Sequence, residues 1–414
     1  MRTNAAALRK ATYRSERGKK FESSFQTGLL VQYRRHLPAI CGGIRMKKKY
    51  RIRDYNFLLV IFVVAVSIIG VLAIGSAKES LQNKQMMGVI LGFFLMLVIS
   101  LFDYGFFLKF YWLIYGVNLA LLLLVRLIGR DAGGAQRWVN IFGIQFQPSE
   151  LAKILLILFY AQYIMLHKEK LNKLKTLVTM ILLFIPPLAL VYLQPDMSTS
   201  IVIIVVFVVL LFVGGLSWKI IAGVAAVVIP TFVILFMLIL QPDQKIIRDF
   251  QQTRILAWLY PDEYENAEGY QQQNSIMAIG SGQLMGKGLN STSIASVKSG
   301  NFISKTETDF IFAVVGEELG FVGSTSTVLL LFGISLMCFN TGRKAKDLAG
   351  SLICAGVGII IGFQSFTNIS VATGLFPNTG IPLPFVSNGL TSLLCLYMGI
   401  GFVLNVRLQC EKKY

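Results

Sequence analysis

Ionisable side chains within or beside long apolar runs are the place to look for chemistry in this chain. Each costs about 2.5 to 3.5 kcal/mol at the centre of a membrane helix, so it needs a partner or a purpose. Asp309 stands out, in Thr306-Glu307-Thr308-Asp309-Phe310-Ile311-Phe312, where a polar stretch meets an apolar run. A carboxylate flanked by aromatics at such a boundary suits a general base, and an Asp in the same place also suits a helix N-cap. Glu317 and Glu318 follow on the same run, and at least one of them must face a partner or a wet cavity rather than lipid.

A second group is upstream. Gly134-Ala135-Gln136-Arg137-Trp138 sits between two apolar runs, and Gln147-Pro148-Ser149-Glu150-Leu151-Ala152-Lys153 opens the next one. Glu150 and Lys153 are three apart and share a helix face, so they can neutralise each other. Arg137 brings a third charge to the same place, and Arg and Lys near a helix N-terminus make a site for a phosphate or pyrophosphate. Asp196, in Gln194-Pro195-Asp196, reads equally as a cap and as a site residue. Lys287, in Gly286-Lys287-Gly288, is a weak anion-binding candidate that lacks the spacing of a phosphate-binding loop. Pro377 to Gly389 holds three prolines and two glycines among its residues, a rigid segment able to present carbonyls and Ser387 or simply to turn the chain.

The elements that must position these residues follow from composition. The chain has 414 residues, 55% hydrophobic and 14% charged, more apolar surface than one soluble core can hide. The apolar residues form runs at about 57–75, 86–102, 110–128, 149–166, 176–193, 199–217, 220–240, 310–339, 348–371 and 387–406. A helix needs about 20 residues to cross a hydrocarbon core, so the expected fold is an all-α polytopic membrane protein with about ten transmembrane helices. The alternate connections holding Lys109, 167–175, Lys219, 343–346 and the tail Lys412-Lys413 are basic, which places them and both termini in the cytoplasm by the positive-inside bias. The opposite connections include 241–309, a large extracytoplasmic loop between helices 7 and 8. Trp258, Tyr260, Tyr264 and Tyr270 make it too aromatic for a tether, so it is expected to be an ordered cap with short helices.

The net charge of +18 is concentrated before the first run, where residues 1–53 carry fifteen Lys or Arg against Glu16 and Glu22. A basic flank such as 46–53 is drawn to anionic inner-leaflet lipid, a better explanation than nucleic-acid binding, which is not expected. Residues 1–45 contain no run suited to a signal peptide and are read as a basic, disordered extension. Met46 opens directly onto the flank of the first helix and is the expected true start, leaving 46–414 as the transmembrane domain. Cys41, Cys338, Cys354, Cys395 and Cys410 form no CxxC pair and are read as packing residues rather than a disulfide framework or metal cluster.

With this topology, Arg137, Glu150, Lys153, Asp196, Asp309 and Ser387 all fall at the outer boundary. Independent caps would scatter over both faces, so the gathering points to a shared polar cavity that opens outward.

In order and spacing these segments resemble the SEDS family (shape, elongation, division and sporulation), of FtsW, RodA and SpoVE type, over roughly 50–408. The resemblance rests on Gly133 to Trp138, Gln147-Pro148-Ser149-Glu150 with Lys153, Gln194-Pro195-Asp196, Ala278 to Gly282 leading to Gly286-Lys287-Gly288-Leu289, Thr308 to Ala313 with Glu317-Glu318-Leu319-Gly320, and Pro382 to Ser387. It implies a ten-helix peptidoglycan glycosyltransferase in the bacterial cytoplasmic membrane, polymerising lipid II for cell division or cell-shape maintenance. It also implies a class B penicillin-binding transpeptidase as partner, along with other membrane proteins of the divisome or elongasome. Asp309 matches the family's catalytic residue, and Arg137, Glu150 and Lys153 match cavity residues. Gln147, Asp196, Lys287 and Ser387 join them as candidate substrate or pyrophosphate contacts.

The chemistry this implies needs a base for the acceptor's sugar 4-hydroxyl and positive charge for the departing pyrophosphate, with inversion at the anomeric carbon. Asp309 fills the first role. Arg137 and Lys153 fill the second, with or without a divalent cation such as Mg²⁺ or Mn²⁺ held by a carboxylate. Two positions depart from the family's usual pattern: Glu307, where many relatives have a histidine, and Asn388-Gly389-Leu390 in place of Tyr-Gly-Gly. The rival readings are a lipid II flippase, which would need charged groups along a path to the inner face, and a membrane scaffold, which would not need the charge cluster.

Overall fold

The computed structural model describes residues 55–132, 135–141, 144–241, 244, 247, 249–264, 268–289 and 306–410. The basic extension, Met46, Cys41 and the tail lysines lie outside them.

Among the described residues ten apolar helices build a multi-pass bundle, because lipid leaves each span to satisfy its own backbone and an α-helix does so within one segment. They are α1 (Phe57–Ala77), α2 (Glu79–Leu101), α4 (Tyr111–Ile128), α5 (Pro148–Leu166), α6 (Leu174–Leu193), α7 (Met197–Val213), α8 (Trp218–Ile239), α11 (Ile311–Arg343), α12 (Leu348–Ala372) and α13 (Leu390–Leu408). A short helix, α3 (Tyr104–Lys109), joins α2 to α4. Eight of the ten are long and apolar enough to cross a membrane by length and composition, and Tyr111–Leu127 and Met197–Val213 are shorter apolar segments. The ten agree with the sequence expectation run for run. α5, α12 and α13 form the buried centre, whereas α8 has no buried residue and stands at the rim.

Ten spans put the start of α1 and the end of α13 at one end of the bundle. That end is fastened by a polar network: the Tyr104 hydroxyl lies 2.9 and 2.8 Å from the two Asp347 oxygens, and Asn405 accepts from the Tyr104 backbone N–H at 2.9 Å while donating to the Ser100 carbonyl at 2.8 Å. Burial, with the Asp347 carboxylate beside it, holds the Tyr104 phenol well above its usual range.

The opposite end carries the elaborations. Between α4 and α5 the chain makes an antiparallel meander of β1 (Arg130–Ala132), β2 (Ala135–Ile141) and β3 (Ile144–Phe146), in that order. Between α8 and α11 the described residues form α9 (Asp249–Leu259), a 3₁₀ turn (Pro261–Tyr264) and α10 (Glu268–Ser281). The last carbonyls of a helix have no partner within it. α10 supplies partners for α12: Gln272 Nε2 donates to the Val371 carbonyl at 2.8 Å and Ser275 Oγ to the Ala372 carbonyl at 2.8 Å. Trp258 Nε1 of α9 donates to the Gly374 carbonyl at 3.0 Å.

α11 is broken at Gly320, with φ 64° and ψ −161°, a conformation essentially reserved for glycine. The turn after α10 repairs the ladder. Lys287 and Gly288 N–H groups donate to the Glu317 and Glu318 carbonyls, both at 3.0 Å, and Phe321 and Val322 N–H groups donate to the Gln283 and Leu284 carbonyls at 2.8 and 3.2 Å. This fit needs bare backbone: a Cβ on Gly286 would lie 2.1 Å from the Glu318 carbonyl oxygen.

Candidate functional site

Pro148 at the first position of α5 sets φ for the helix and leaves Ser149 and Glu150 in its first turn, where a carboxylate is favoured by the helix dipole. Glu150 and Lys153 are 4% and 3% exposed and joined by an ion pair of 2.8 Å. A buried pair this close compensates both charges, since either one alone would carry a large desolvation cost.

Asp196 ties three segments together. One carboxylate oxygen caps α7, accepting from the Thr199 N–H at 3.2 Å. The other accepts from Gln147 Nε2 and Ser149 Oγ, both at 3.1 Å. Arg137, carried by β2, brings Nη1 to 3.9 Å from Asp196 Oδ1, while its Nε donates to the Gln194 carbonyl at 3.3 Å and Nη2 to the Pro195 carbonyl. The cap and the site reading of Asp196 are therefore one arrangement. The start of α5 is pinned further to α13, where the Gln147 N–H donates to Thr391 Oγ1 at 3.3 Å and that hydroxyl donates to the Gln145 carbonyl at 3.1 Å.

Asp309 sits in the turn leading into α11, and α12 and the loop after it hold that turn residue by residue. Asn388 N–H donates to the Glu307 carbonyl at 2.9 Å, Ser387 Oγ to the Thr308 carbonyl at 2.6 Å, and Asn368 Nδ2 to the Asp309 carbonyl at 2.9 Å. Gly380, at φ 69°, lies beside the Asp309 carboxylate: a Cβ there would come within 3.5 Å of Oδ2. The Ser387 hydroxyl also accepts from the Leu383 N–H at 2.8 Å, so it fastens the loop to the turn. Of the two departures from the family pattern, Glu307 pairs with Lys78 at 3.3 Å and Asn388 faces the cavity.

These groups share one cavity of about 1070 Å³. Arg137, Gln147, Glu150, Asp196, Asp309 and Ser387 all contribute to its walls. Its apolar lining includes Ile201 and Val202 of α7 and Phe232, Leu235, Phe236 and Ile239 of α8. Two of the sequence candidates do not reach it. Lys153 turns its ammonium to Glu150 and borders a separate small pocket with Tyr160, Phe184 and Phe207. Lys287 pairs with Glu317 at 2.8 Å, in the turn that fills the break in α11.

Sequence reasoning passed over Asn368 and Gln364, which lie one helical turn apart on α12. Both are almost wholly buried, Gln364 lines the cavity, and Asn368 holds Asp309. The available signal was two amides at i,i+4 inside an apolar span, where polar groups are expensive.

The cavity sets an Arg137 guanidinium and several carboxylates against an apolar wall, an arrangement suited to an amphipathic substrate with an anionic part, and it offers a carboxylate for proton transfer. A divalent cation here would be held by one or two carboxylates and completed by substrate oxygens, not by an all-protein cage. No three His, Cys, Asp or Glu side chains come together among the described residues, and both oxygens of Asp196 already accept from protein donors.

Residues 51–412 match the FtsW/RodA/SpoVE model, described as cell cycle protein. The chain is 30% identical over 374 residues to the probable peptidoglycan glycosyltransferase FtsW of Wigglesworthia glossinidia brevipalpis, covering 86% of this chain and 94% of that protein. It is 34% identical over 297 residues to the peptidoglycan glycosyltransferase MrdB of Escherichia coli (strain K12), covering 71% and 76%. Among solved structures it is similar to the rod shape determining protein RodA of Thermus thermophilus, with a TM-score of 0.63 and 26% identity over 87% of this chain and 98% of that one. A chain from a structure described as the coordination of polymerization and crosslinking by a peptidoglycan synthase complex gives a TM-score of 0.69 and 29% identity, covering 85% and 97%.

Proposed function

The chain belongs to the FtsW/RodA/SpoVE family of cell cycle proteins, and from that membership we propose that it is a peptidoglycan glycosyltransferase that extends glycan strands from lipid II, with the cavity described above as its active site. The observation that carries the assignment of the site is the placement of Asp309 and of the Arg137–Asp196 pair on the walls of a single cavity that also has an apolar lining.

The residues divide the reaction between them. Asp309 takes the proton from the acceptor's sugar 4-hydroxyl as that oxygen attacks the donor's anomeric carbon. The new glycosidic bond forms as the bond to the lipid pyrophosphate breaks, with inversion, and the leaving group keeps the electron pair. Arg137 faces the growing negative charge, and Asp196 orients its guanidinium. Glu150 lines the cavity with its charge compensated from behind by Lys153, so Lys153 acts through Glu150 rather than on pyrophosphate. Gln147 is held by Asp196 at the wall, and Ser387 keeps the Asp309 turn in register. The apolar lining from α7 and α8 accommodates the polyprenyl tail.

The active end lies outside the bacterial cytoplasmic membrane, because the basic connections 167–175 and 343–346 occupy the opposite end of the bundle and set it inside. A class B penicillin-binding transpeptidase acting beside the outer elaborations would crosslink the product strand.

The test is polymerisation of lipid II by the purified protein with its transpeptidase partner present, read as glycan strands on a gel. Wild-type protein should make polymer and Asp309→Asn should make none. Undiminished polymer from the Asp309→Asn variant would remove Asp309 as the base.

A further inference from the structure

Arg137 and Trp138 are consecutive on β2, and both line the cavity. A regular strand would send them to opposite faces of the meander. The pairing with β1 shows why this one does not. Trp138 pairs with Arg130 and Gln136 with Asp131, so Arg137 is the extra residue of a β-bulge, a device that re-aims a side chain. Trp138 also differs from the other tryptophans of the chain. Trp112 and Trp218 pack against neighbouring rings, and Trp258 donates its indole N–H to the Gly374 carbonyl. Trp138 is partly exposed on the cavity wall, and among the described residues neither its ring nor its indole N–H has a partner. Other rings in the wall are already engaged: Phe232 stacks on Phe236, and Phe385 stands edge-on to Tyr397.

We propose that Trp138 is the platform on which the sugar ring that carries the pyrophosphate stacks, with Arg137 beside it on the pyrophosphate itself. This rests on the reading of the cavity as a glycosyltransferase site. In the substrate, sugar ring and anion are joined through a single oxygen. In the protein, indole and guanidinium are carried by adjacent residues, whose Cα atoms are about 3.8 Å apart. A pyranose presents a face of C–H groups edged by hydroxyls. The negative face of an indole attracts those hydrogens, and the indole N–H donates to a hydroxyl at the edge. The other parts of the substrate fit less well. Phosphate oxygens are repelled by the ring face and have the Arg137 donors, and a polyprenyl tail would leave the N–H unpaired. A tryptophan at the outer boundary also suits an interfacial belt, but such a ring faces headgroups, whereas Trp138 shares its wall with Gln147, Glu150 and Asp196.

Two substitutions test the platform. Trp138→Leu stays apolar but loses the flat ring, and Trp138→Phe restores a ring face. KM for lipid II should rise about tenfold in the Leu variant and by clearly less in the Phe variant, with kcat little changed in both, since stacking holds ground state and transition state alike. Both should melt in detergent near the wild-type temperature. The inhibition constant of polyprenyl pyrophosphate lacking any sugar should be unaltered. Trp218→Leu removes a 71% exposed tryptophan at the inner end of α8 and controls for the loss of an interfacial ring, so its KM should match wild type. Unchanged KM in Trp138→Leu overturns the platform, and so do equal losses in the Leu and Phe variants. A joint fall of kcat and melting temperature in both makes Trp138 structural and overturns it as well. An inhibition constant that rises by the same factor as KM reassigns Trp138 to the lipid pyrophosphate. Absence of polymer from wild-type protein with its transpeptidase partner present removes the reading of the site and the platform with it, whereas wild-type polymer beside a Trp138→Leu protein of normal KM removes the platform alone.

Discussion

The side-chain amide of Asn368 donates at once to the backbone carbonyl of Asp309, at 2.9 Å, and to that of Ile381, at 2.8 Å. One residue near the end of α12 thereby sets the spacing between the turn that presents the carboxylate and the loop that holds Ile381. Asn368→Ala removes both bonds, each worth about 1 kcal/mol. The expected outcome is a fall in kcat for polymerisation larger than any change in KM, with a modest drop in melting temperature. A change confined to KM would mean that Asn368 does not position the base.

Asp196 has two separable roles, and two substitutions part them. Asn is as good an N-cap as Asp, so Asp196→Asn should keep the start of α7 and melt close to wild type, while leaving Arg137 without its counter-charge at 3.9 Å. Asp196→Ala loses the cap as well, at about 1 kcal/mol, together with the anchors of Gln147 and Ser149. Polymerisation should fall in both variants and thermal stability in the second alone. Equal melting losses in the two would show that the carboxylate is held by charge rather than by capping.

Much of this was legible in the chain before folding. Run length alone marks the ten spans, and alternation of direction puts Arg137, Glu150, Asp196, Asp309 and Ser387 at one end, since each sits at a connection of the same parity. Ion pairing across the chain was not legible. Lys287 reads as a free cation in a glycine-flanked turn, and its partner Glu317 is thirty residues away on a helix whose break nothing local announces. The meander between α4 and α5 was hidden for a different reason: strands of three to seven residues carry too few alternations to declare a period. Gln364 and Asn368 were passed over because a search for charge does not register neutral amides.

The Glu150–Lys153 pair allows stability to be separated from activity. Truncating one member of a buried ion pair costs about 3 to 5 kcal/mol, because the other charge is left uncompensated. Lys153→Met should therefore lower the melting temperature sharply. Adding Glu150→Gln removes the stranded charge, and the double variant should recover most of the stability. It should still polymerise poorly, since Glu150 lines the cavity and Lys153 does not. Recovery of activity along with stability would make the pair purely structural.

Gly320 offers the corresponding test for the broken helix. At φ 64° and ψ −161° an L side chain is strained by about 1 to 3 kcal/mol, and a Cβ there would lie 2.3 Å from the Gly286 N. Gly320→Ala therefore pushes α11 and the turn at 283–288 apart, and the four backbone hydrogen bonds that bridge the break must lengthen. Asp309 lies immediately before α11, so the displacement is passed along the first turns of that helix to the base. The expected result is a lower melting temperature and reduced kcat together. Gly223→Ala is the control, because a Cβ at that position on α8 meets nothing within 4 Å, and it should leave melting temperature and polymerisation as they are in wild type. If Gly320→Ala retains wild-type polymerisation at a reduced melting temperature, the break serves only to seat the turn, and the orientation of Asp309 is set by Asn368, Ser387 and Asn388 alone.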